Sequence, residues 1–319
     1  MLMAPDRPHA KYDRLIARAT DARPARTVVV HPCDETSLRG VCEAAEAGLV
    51  TPLLVGPSAR IVELGRKLDL NLSKFEIVNA DHSDDAAEKG VALIHAGQGD
   101  VLMKGSLHTD ELMRAVTSST KGLRTARRIS HVFVMDVPTY PETLFITDAA
   151  INILPDLDAK RDIVQNAIDL FVDSGLGAPR VALLSAVETV TLKIPSTIDA
   201  AALCKMADRG QITGGVLDGP LAFDNAIDTE AARIKGIKSE VAGRAQILVV
   251  PDLEAGNMLA KNLTFLAKAD AAGIVLGARV PIVLTSRADS VRARMASCAV
   301  AVIYAHARRA KAAAAAAGR

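Results

Sequence analysis

Short aliphatic runs recur along the chain, and stretches with apolar residues at helical spacing follow them. Uninterrupted runs of this kind are typical of strands that are buried on both faces of a parallel sheet. The stretch 158–173 carries an apolar stripe at helical spacing, and Gly175 follows it as a stop signal. The predicted strands are 27–30, 51–55, 101–103, 132–135, 143–146, 181–184, 216–217, 247–250, 274–276 and 282–284.

Strands that alternate with helices indicate an α/β fold, in which mainly parallel sheets are covered by helices on both faces. The length of 319 residues exceeds the size at which a single core usually stops growing, so we expect two domains. Pro138 and Pro141 separate the predicted strands 132–135 and 143–146, which favours a domain boundary near residue 142. The same prolines also suit a loop within one sheet.

The composition of the chain mainly excludes certain classes of partner. The 38 Lys and Arg residues nearly balance the 37 Asp and Glu residues, and the formal net charge is +1. Such a chain has no general field to attract nucleic acid or an acidic membrane, so we expect neither as a partner. Any recognition of an anion must therefore be local.

The cysteines are scattered, without a C-x-x-C pair or a histidine at metal-ligand spacing, so neither a disulfide framework nor a metal site is predicted. They are Cys33, Cys42, Cys204 and Cys298. The first residues are polar, and no apolar segment reaches membrane-spanning length. We therefore expect a soluble, cytoplasmic protein with reduced thiols.

The most informative chemistry follows the predicted strand 282–284. That aliphatic run ends on Ser286, Arg287 and Asp289, and a helical pattern begins at Val291. Ligands bind at the carboxyl ends of strands in open α/β sheets, where backbone donors and helix N-termini converge. An arginine beside a hydroxyl suits recognition of a phosphate or carboxylate. Asp289 lies where an N-cap belongs, so capping is an alternative to catalysis for this residue.

Lys104 and Gly105 follow another predicted strand and precede a helix that opens near Thr109 and carries Arg114. A glycine at this place lets a ligand approach the backbone, and the lysine suits a phosphate. The alternative is an ordinary loop with Thr109 as the N-cap and both cations solvated. Among the histidines, His108 is the candidate for a functional role, because it lies in this segment.

Two further segments complete the set of candidate site residues. Asp218 begins an Asp-Gly-Pro sequence that predicts a turn after the strand 216–217. Gly256 and Asn257 follow the strand that ends at Pro251 and are expected to open the next helix. Asn257 suits either a cap or an amide that faces a ligand.

The order of these segments resembles the phosphate acetyltransferase and phosphate butyryltransferase family. That family carries a Lys/Ala-Gly segment before a helix with an Arg, then D-G-P-L, then P-x-L-x-x-G-N, then S-R. Here the matches are Lys104-Gly105 with Arg114, 218–221, 251–257 and Ser286-Arg287, within a resemblance that spans roughly residues 25 to 306. The continuation Ala288-Asp289-Ser290 is similar to the butyryltransferase branch, because acetyltransferases typically continue Gly-Cys. Counting without gaps places the family's thiol-activating Asp at Ala293, so its transfer to Asp289 requires a gap.

The resemblance implies two three-layer α/β/α domains that face each other across a cleft, as in isocitrate and isopropylmalate dehydrogenases. It also implies that the last helix returns to the first domain. The expected domains are therefore 1–142 with 284–319, and 143–283.

The resemblance also implies the chemistry: reversible transfer of an acyl group between coenzyme A and phosphate, by direct thiolate attack in a ternary complex. Ser286 and Asp289 would be catalytic, and the other candidate residues would bind substrate. Coenzyme A, acyl phosphate and phosphate would be substrates, with no metal and no tightly bound cofactor, in a homodimer. No covalent acyl-enzyme is expected, because no G-x-S-x-G elbow surrounds Ser286.

Several alternatives stay open. Acetyl transfer is placed first, and butyryl or other short-chain transfer second. A module that binds coenzyme A without turnover is a third hypothesis. An NAD-dependent decarboxylating dehydrogenase would need a carboxylate cluster for a divalent metal, and the sequence offers no convincing D-x-x-x-D set.

Overall fold

The computed structural model describes residues 10–284 and 290–317. It contains two compact units, which we call the split unit and the central unit. The described residues of the split unit are 12–127, 272–284 and 290–317. Those of the central unit are 10–11 and 128–271.

Strands and helices alternate along most of the chain, as the hydrophobic pattern predicts. The strands are β1 Ala25–Val30, β2 Val50–Gly56, β3 Glu76–Asn79, β4 Val101–Lys104, β5 Ser130–Asp136, β6 Leu144–Thr147, β7 Arg180–Leu184, β8 Val216–Leu221, β9 Ile247–Val249, β10 Asp270–Leu276 and β11 Ile282–Val283. The helices are α1 Ala10–Thr20, α2 Glu35–Glu46, α3 Ser58–Lys67, α4 Ser83–His95, α5 Thr109–Thr117, α6 Leu157–Asp173, α7 Pro195–Asp208, α8 Phe223–Ile227, α9 Thr229–Ile234, α10 Leu253–Phe265 and α11 Val291–Ala317.

The sheet of the split unit has the strand order β3-β2-β1-β4-β11-β10. Its strands run parallel except for β10, which is antiparallel to β11. Val28, Val29 and Val30 of β1 are fully buried, and α4 and α11 both pack against this strand. Cover by helices explains why the strand is an uninterrupted aliphatic run rather than an alternating one.

The sheet of the central unit has the order β5-β6-β9-β7-β8, and β5 is antiparallel to β6. The pairs β6–β9, β9–β7 and β7–β8 are parallel. Phe145 of β6 meets Phe171 of α6 edge to face, with ring centroids 5.1 Å apart. The helix predicted over 158–173 is confirmed as α6, whose first turn is capped by Asp156 through the Ala159 amide.

Two of the strands differ from the sequence predictions. Strand β3 was not predicted, because its four residues are partly or fully exposed and form no aliphatic run. The turn predicted at Asp218 is wrong, because β8 continues through Asp218, Gly219 and Pro220 to Leu221. β8 is an edge strand of its unit, and the register shift in its pairing with β7 accommodates glycine and proline.

The units divide the chain at 127/128 and 271/272, whereas the sequence expectation places the bounds at 142/143 and 283/284. The antiparallel pairing of β5 with β6 keeps this hairpin in the central unit. The pairing of β11 with both β10 and β4 keeps 272–283 in the split unit. Among the described residues, no helix is both long and apolar enough to span a membrane.

Candidate functional site

Three parallel strands of the split unit end together. β4 lies between β1 and β11, with Val30 paired to Lys104 and Val283 paired to Met103. The carboxyl ends of these strands therefore meet at one edge of the sheet, the position where α/β sheets bind ligands. Ser286, Arg287 and Asp289, which follow β11 in the sequence, lie outside the described residues.

Gly105 brings the chain after β4 against the end of β1. Its N–H donates to the Val30 carbonyl at 2.8 Å, and a Cβ at this position would lie 2.5 Å from the carbonyl oxygens of both Val30 and His31. The glycine is therefore required by the close approach of two backbone segments. This explains the residue without a ligand, and the edge remains close-packed here.

Replacing Gly105 by alanine is expected to destabilise the split unit by about 1–3 kcal/mol, because the added methyl group meets backbone rather than a flexible side chain. Gly40→Ala is the matched control. Its Cβ would meet only the Arg294 side chain, and alanine is preferred within helix α2. Urea unfolding of both variants measures the difference. A Gly105→Ala loss no larger than that of Gly40→Ala would contradict the steric account.

The ammonium group of Lys104 is hydrogen-bonded within the protein. The alternative of an ordinary loop with a solvated lysine is therefore wrong for this residue. Its ammonium group donates to the carbonyls of Gly105 at 3.2 Å and Leu107 at 3.1 Å. The side chain is partly buried at the end of β4. These bonds fix a positive charge at the strand-end edge.

His31 and Ser106 join the same edge, and the sequence analysis did not single out either of them. Ser106 Oγ donates to the His31 carbonyl at 2.8 Å and lies 3.0 Å from His31 Nδ1. Burial, followed by the charge of Arg60, lowers the pKa of His31, while Glu111 and Asp34 act in the opposite direction. The available signal was a histidine directly after the apolar run 27–30.

Thr109 and Arg114 lie on α5, away from the close contacts of Gly105. Thr109 is the first helical residue rather than the N-cap, and His108 takes the cap position, with its N–H donating to Glu111 Oε2 at 2.6 Å. Arg114 is two-thirds exposed, 67%, and its guanidinium is 3.5 Å from Asp84. It lines a groove of about 580 Å³ between α4 and α5 whose lining does not include Lys104.

In the central unit, Asp218 is a partly buried strand residue. Its carboxylate accepts from the Gly219 N–H at 2.8 Å, and a Cβ at Gly219 would lie 2.7 Å from Leu183. Burial and then the charge of Asp218 raise the pKa of the neighbouring Cys204 thiol to about 12. This thiol is therefore protonated at neutral pH.

Gly256 and Asn257 lie in the first turns of α10, and neither caps the helix. Asp252 is the N-cap and accepts from the Ala255 N–H at 2.9 Å. Asn257 Nδ2 donates to the Ala149 carbonyl at 3.3 Å, and a Cβ at Gly256 would lie 3.0 Å from Ala149. The Gly-Asn pair therefore holds α10 against the segment that follows β6.

That segment, 148–152, is organised by the buried carboxylate of Asp148. Oδ1 accepts from the N–H groups of Ala150 and Ile151, both at 3.0 Å. Oδ2 accepts from the backbone N–H of Asn152 at 3.2 Å and from its side chain at 2.6 Å. Burial lowers the pKa of the neighbouring His131 to about 4, against the charge of Asp148. This carboxylate is not among the residues that the sequence pattern indicates.

Comparison with known proteins decides the family. The model for "Phosphate acetyl/butaryl transferase" matches residues 80–302, more than half of the chain. The chain belongs to this family. It is 74% identical to a phosphate acetyltransferase of Rhizobium meliloti, over 94% of this chain and 95% of that protein. It is 40% identical to a phosphate butyryltransferase of Clostridium beijerinckii, over 92% of this chain and 97% of that protein.

Among solved structures, a branched-chain phosphotransacylase from Enterococcus faecalis superimposes with a TM-score of 0.76 at 29% identity, covering 88% of this chain and 99% of that chain. Membership in the phosphate acetyl/butyryl transferase family confirms the resemblance seen in the sequence, and the structural match confirms the two-domain α/β fold class. The chain is a transferase enzyme.

Within this family member, the described site residues fall into two groups. Lys104 and Gly105 share the strand-end edge of the split unit, whereas Gly256 and Asn257 pack on the segment after β6 in the central unit. Within 10–284 and 290–317, no group of three or more His, Cys, Asp or Glu residues is placed to hold a metal ion.

Proposed function

We propose that the chain is a phosphate acetyltransferase that moves an acetyl group reversibly between coenzyme A and phosphate, by direct thiolate attack in a ternary complex. The observation that carries this proposal is the 74% identity to a phosphate acetyltransferase across almost the whole chain. The proposal includes a homodimer that works in the cytoplasm.

In the direction that consumes acetyl phosphate, the thiol of coenzyme A loses its proton and its sulfur bonds to the acetyl carbonyl carbon. The bond from that carbon to the phosphate oxygen then breaks, and phosphate leaves. A free thiol is mostly protonated at neutral pH, so a base must accept the proton. The family pattern offers Asp289 for this role, provided that a gap is placed in the match between this sequence and the pattern.

Negative charge develops on the carbonyl oxygen and on the departing phosphate. Preorganised donors aimed at such charge are a large source of rate enhancement. We assign the Ser286 hydroxyl to the carbonyl oxygen and the Arg287 guanidinium to the phosphate, for which its planar fork is suited. The fixed ammonium of Lys104 at the end of β4, the strand beside β11, supports an anion at the same edge.

The remaining candidate residues receive more limited roles. We propose that Gly105 shapes the strand-end edge, and that Gly256 and Asn257 position the 148–152 segment for substrate binding. Asp218, Thr109 and Arg114 remain proposed contacts to coenzyme A. The ion pair of Arg114 with Asp84 is exposed and is therefore easily exchanged for a phosphate of that ligand.

A second candidate is phosphate butyryltransferase. It is favoured by the Ser-Arg-Ala-Asp-Ser sequence at 286–290 and by the 40% identity to a butyryltransferase. One methylene in an apolar pocket changes discrimination by only about 1–3 kcal/mol, so the two activities differ in degree.

The test is phosphate-dependent release of free thiol from acetyl-CoA, propionyl-CoA and butyryl-CoA, measured in parallel with EDTA present. We expect the highest kcat/KM with acetyl-CoA and no release when phosphate is omitted. A higher kcat/KM with butyryl-CoA would transfer the assignment to the second candidate. Binding of coenzyme A without release from any of the three would contradict both and favour a non-catalytic binding module.

A further inference from the structure

The tautomer of His31 follows from the hydrogen bonds around Ser106. The Ser106 hydroxyl has one hydrogen, and it donates that hydrogen to the His31 carbonyl at 2.8 Å. With that hydrogen on the carbonyl, we assign Nδ1 as the donor at its 3.0 Å contact with Ser106 Oγ. In the neutral ring this leaves Nε2 unprotonated. Within the described ranges Nε2 has no hydrogen-bond partner, so its lone pair is available as a proton acceptor.

The backbone of His31 is held in an uncommon conformation. Its φ is 55°, a value that non-glycine residues rarely adopt, although asparagine, aspartate and histidine do so more often than others. Hydrogen bonds fix it there, since His31 N–H donates to Val55 at 2.7 Å and the Ser106 N–H donates to the His31 carbonyl at 2.9 Å. Backbone outliers that the surroundings enforce are concentrated at functional sites.

His31 also lies at the right edge of the sheet. It directly follows β1, and the order β1-β4-β11 places it two strands from the end of β11. Two strand spacings amount to about 10 Å. A substrate bound over the carboxyl end of β4, the strand between them, would therefore lie between His31 and the strand that leads into Ser286 and Arg287 in the sequence.

The surroundings of the ring favour its neutral form. Burial and then Arg60 lower the pKa of His31 from its ordinary value, and they outweigh Glu111, Asp34 and a hydrogen bond to the His31 backbone, which raise it. A neutral imidazole with a defined tautomer is the form that accepts a proton. In a charged ring both nitrogens already carry a proton, so neither can accept another.

We propose that His31, through Nε2, is the catalytic base that takes the thiol proton of coenzyme A, in place of the Asp289 that the family pattern offers, and that Ser106 is a positioning residue that fixes its tautomer. This inference rests on the proposed acetyl transfer. As the sulfur bonds to the carbonyl carbon, the thiol proton passes to Nε2 and phosphate leaves with the electrons of the broken carbon–oxygen bond. In the reverse direction the imidazolium returns the proton to the departing thiolate.

The decisive variant is His31→Asn. Asparagine tolerates the positive φ, and its amide can donate to Ser106 as Nδ1 does, but it has no basic nitrogen at the position of Nε2. We expect kcat for acetyl phosphate and coenzyme A to fall about 100-fold, the lower end of the effect of general-base catalysis. The loss of rate that wild type shows as the pH falls through the pKa of His31 should be absent. His31→Gly should recover rate with added imidazole.

His306→Gln is the matched control, because the ring of His306, within α11, donates to the carbonyl of Arg23, which precedes β1 at the end opposite His31, and glutamine retains a donor. It should keep the wild-type rate and pH profile. Thermal unfolding of each variant checks that the fold is retained.

The possible results distinguish failure of the His31 proposal from failure of the proposed acetyl transfer. Wild-type kcat and pH profile in His31→Asn would overturn the proposal. So would a reduced rate that keeps the acidic limb and is not rescued by imidazole in His31→Gly, since that pattern indicates a structural effect. Loss of the acidic limb in Asp289→Asn but not in His31→Asn would move the base to Asp289. Absence of activity in wild type would instead refute the proposed acetyl transfer.

Ser106→Ala provides an independent readout. If Ser106 acts through the ring, its removal lowers kcat in the wild-type background and has little further effect in His31→Asn. Equal effects in both backgrounds would refute the positioning role, because independent sites contribute additively.

Discussion

Replacing Asp148 by alanine is expected to destabilise the central unit by about 3–5 kcal/mol. The carboxylate is 3% exposed and accepts four hydrogen bonds from the three residues Ala150, Ile151 and Asn152. Hydrogen bonds to a charged group contribute about 1.5–3 kcal/mol each, and the total is reduced because water reaches the exposed Ala150. Asn152 is buried and would lose partners for two of its donors.

Denaturant unfolding with a probe in the central unit measures this loss. Asp148→Asn retains the shape and one acceptor oxygen, so we expect an intermediate loss. Asp156→Ala is the control for a single cap. Its carboxylate accepts one bond from the Ala159 N–H at 2.8 Å, which predicts a loss of about 1 kcal/mol. Equal losses for Asp148→Ala and Asp156→Ala would show that the four-bond arrangement does not stabilise the unit.

The same change bears on substrate binding. Ala149 lies between Asp148 and the start of α10, where it accepts from Asn257 and leaves no room for a side chain at Gly256. Freeing the 148–152 segment therefore disrupts its contacts with Gly256 and Asn257, for which we propose a part in substrate binding.

Most of the fold followed from hydrophobic patterning, because buried parallel strands are uninterrupted aliphatic runs. The strand predicted at 101–103 is β4 and the helix predicted over 158–173 is α6. Strand β3 was not predicted, because a partly exposed edge strand has no uninterrupted aliphatic run. The strand predicted at 216–217 is the first part of β8, and its continuation was mistaken for a turn because Asp-Gly-Pro has strong turn propensity; the edge position of β8 tolerates the missing proline donor.

The site was harder to predict than the fold, since its residues are assembled by contacts between distant segments. The sequence offered Thr109 and Asn257 as caps, but His108 and Asp252 occupy those positions. His31 gained its significance only from its pairing with Ser106, which is 75 residues away. No local pattern predicts that pairing.

Ser286→Ala is expected to lower kcat by about 10²–10³-fold, because a donor to the carbonyl oxygen acts on charge that is present only in the transition state. Arg287→Ala is expected mainly to raise the KM for phosphate and acetyl phosphate, since the guanidinium would bind the phosphate group in the ground state as well. Steady-state kinetics in both directions separates the two effects.

Ser290→Ala is the matched control for Ser286. Its hydroxyl accepts from the Ala293 N–H at 3.1 Å and caps α11, so its loss should cost about 1 kcal/mol of stability and leave kcat unchanged. A serine four residues away thus tests whether an effect at Ser286 reflects chemistry or the start of the helix. Unchanged kinetics in both Ser286→Ala and Arg287→Ala would refute their assigned roles, while equal kcat losses in Ser286→Ala and Ser290→Ala would show that the segment acts through its fold alone.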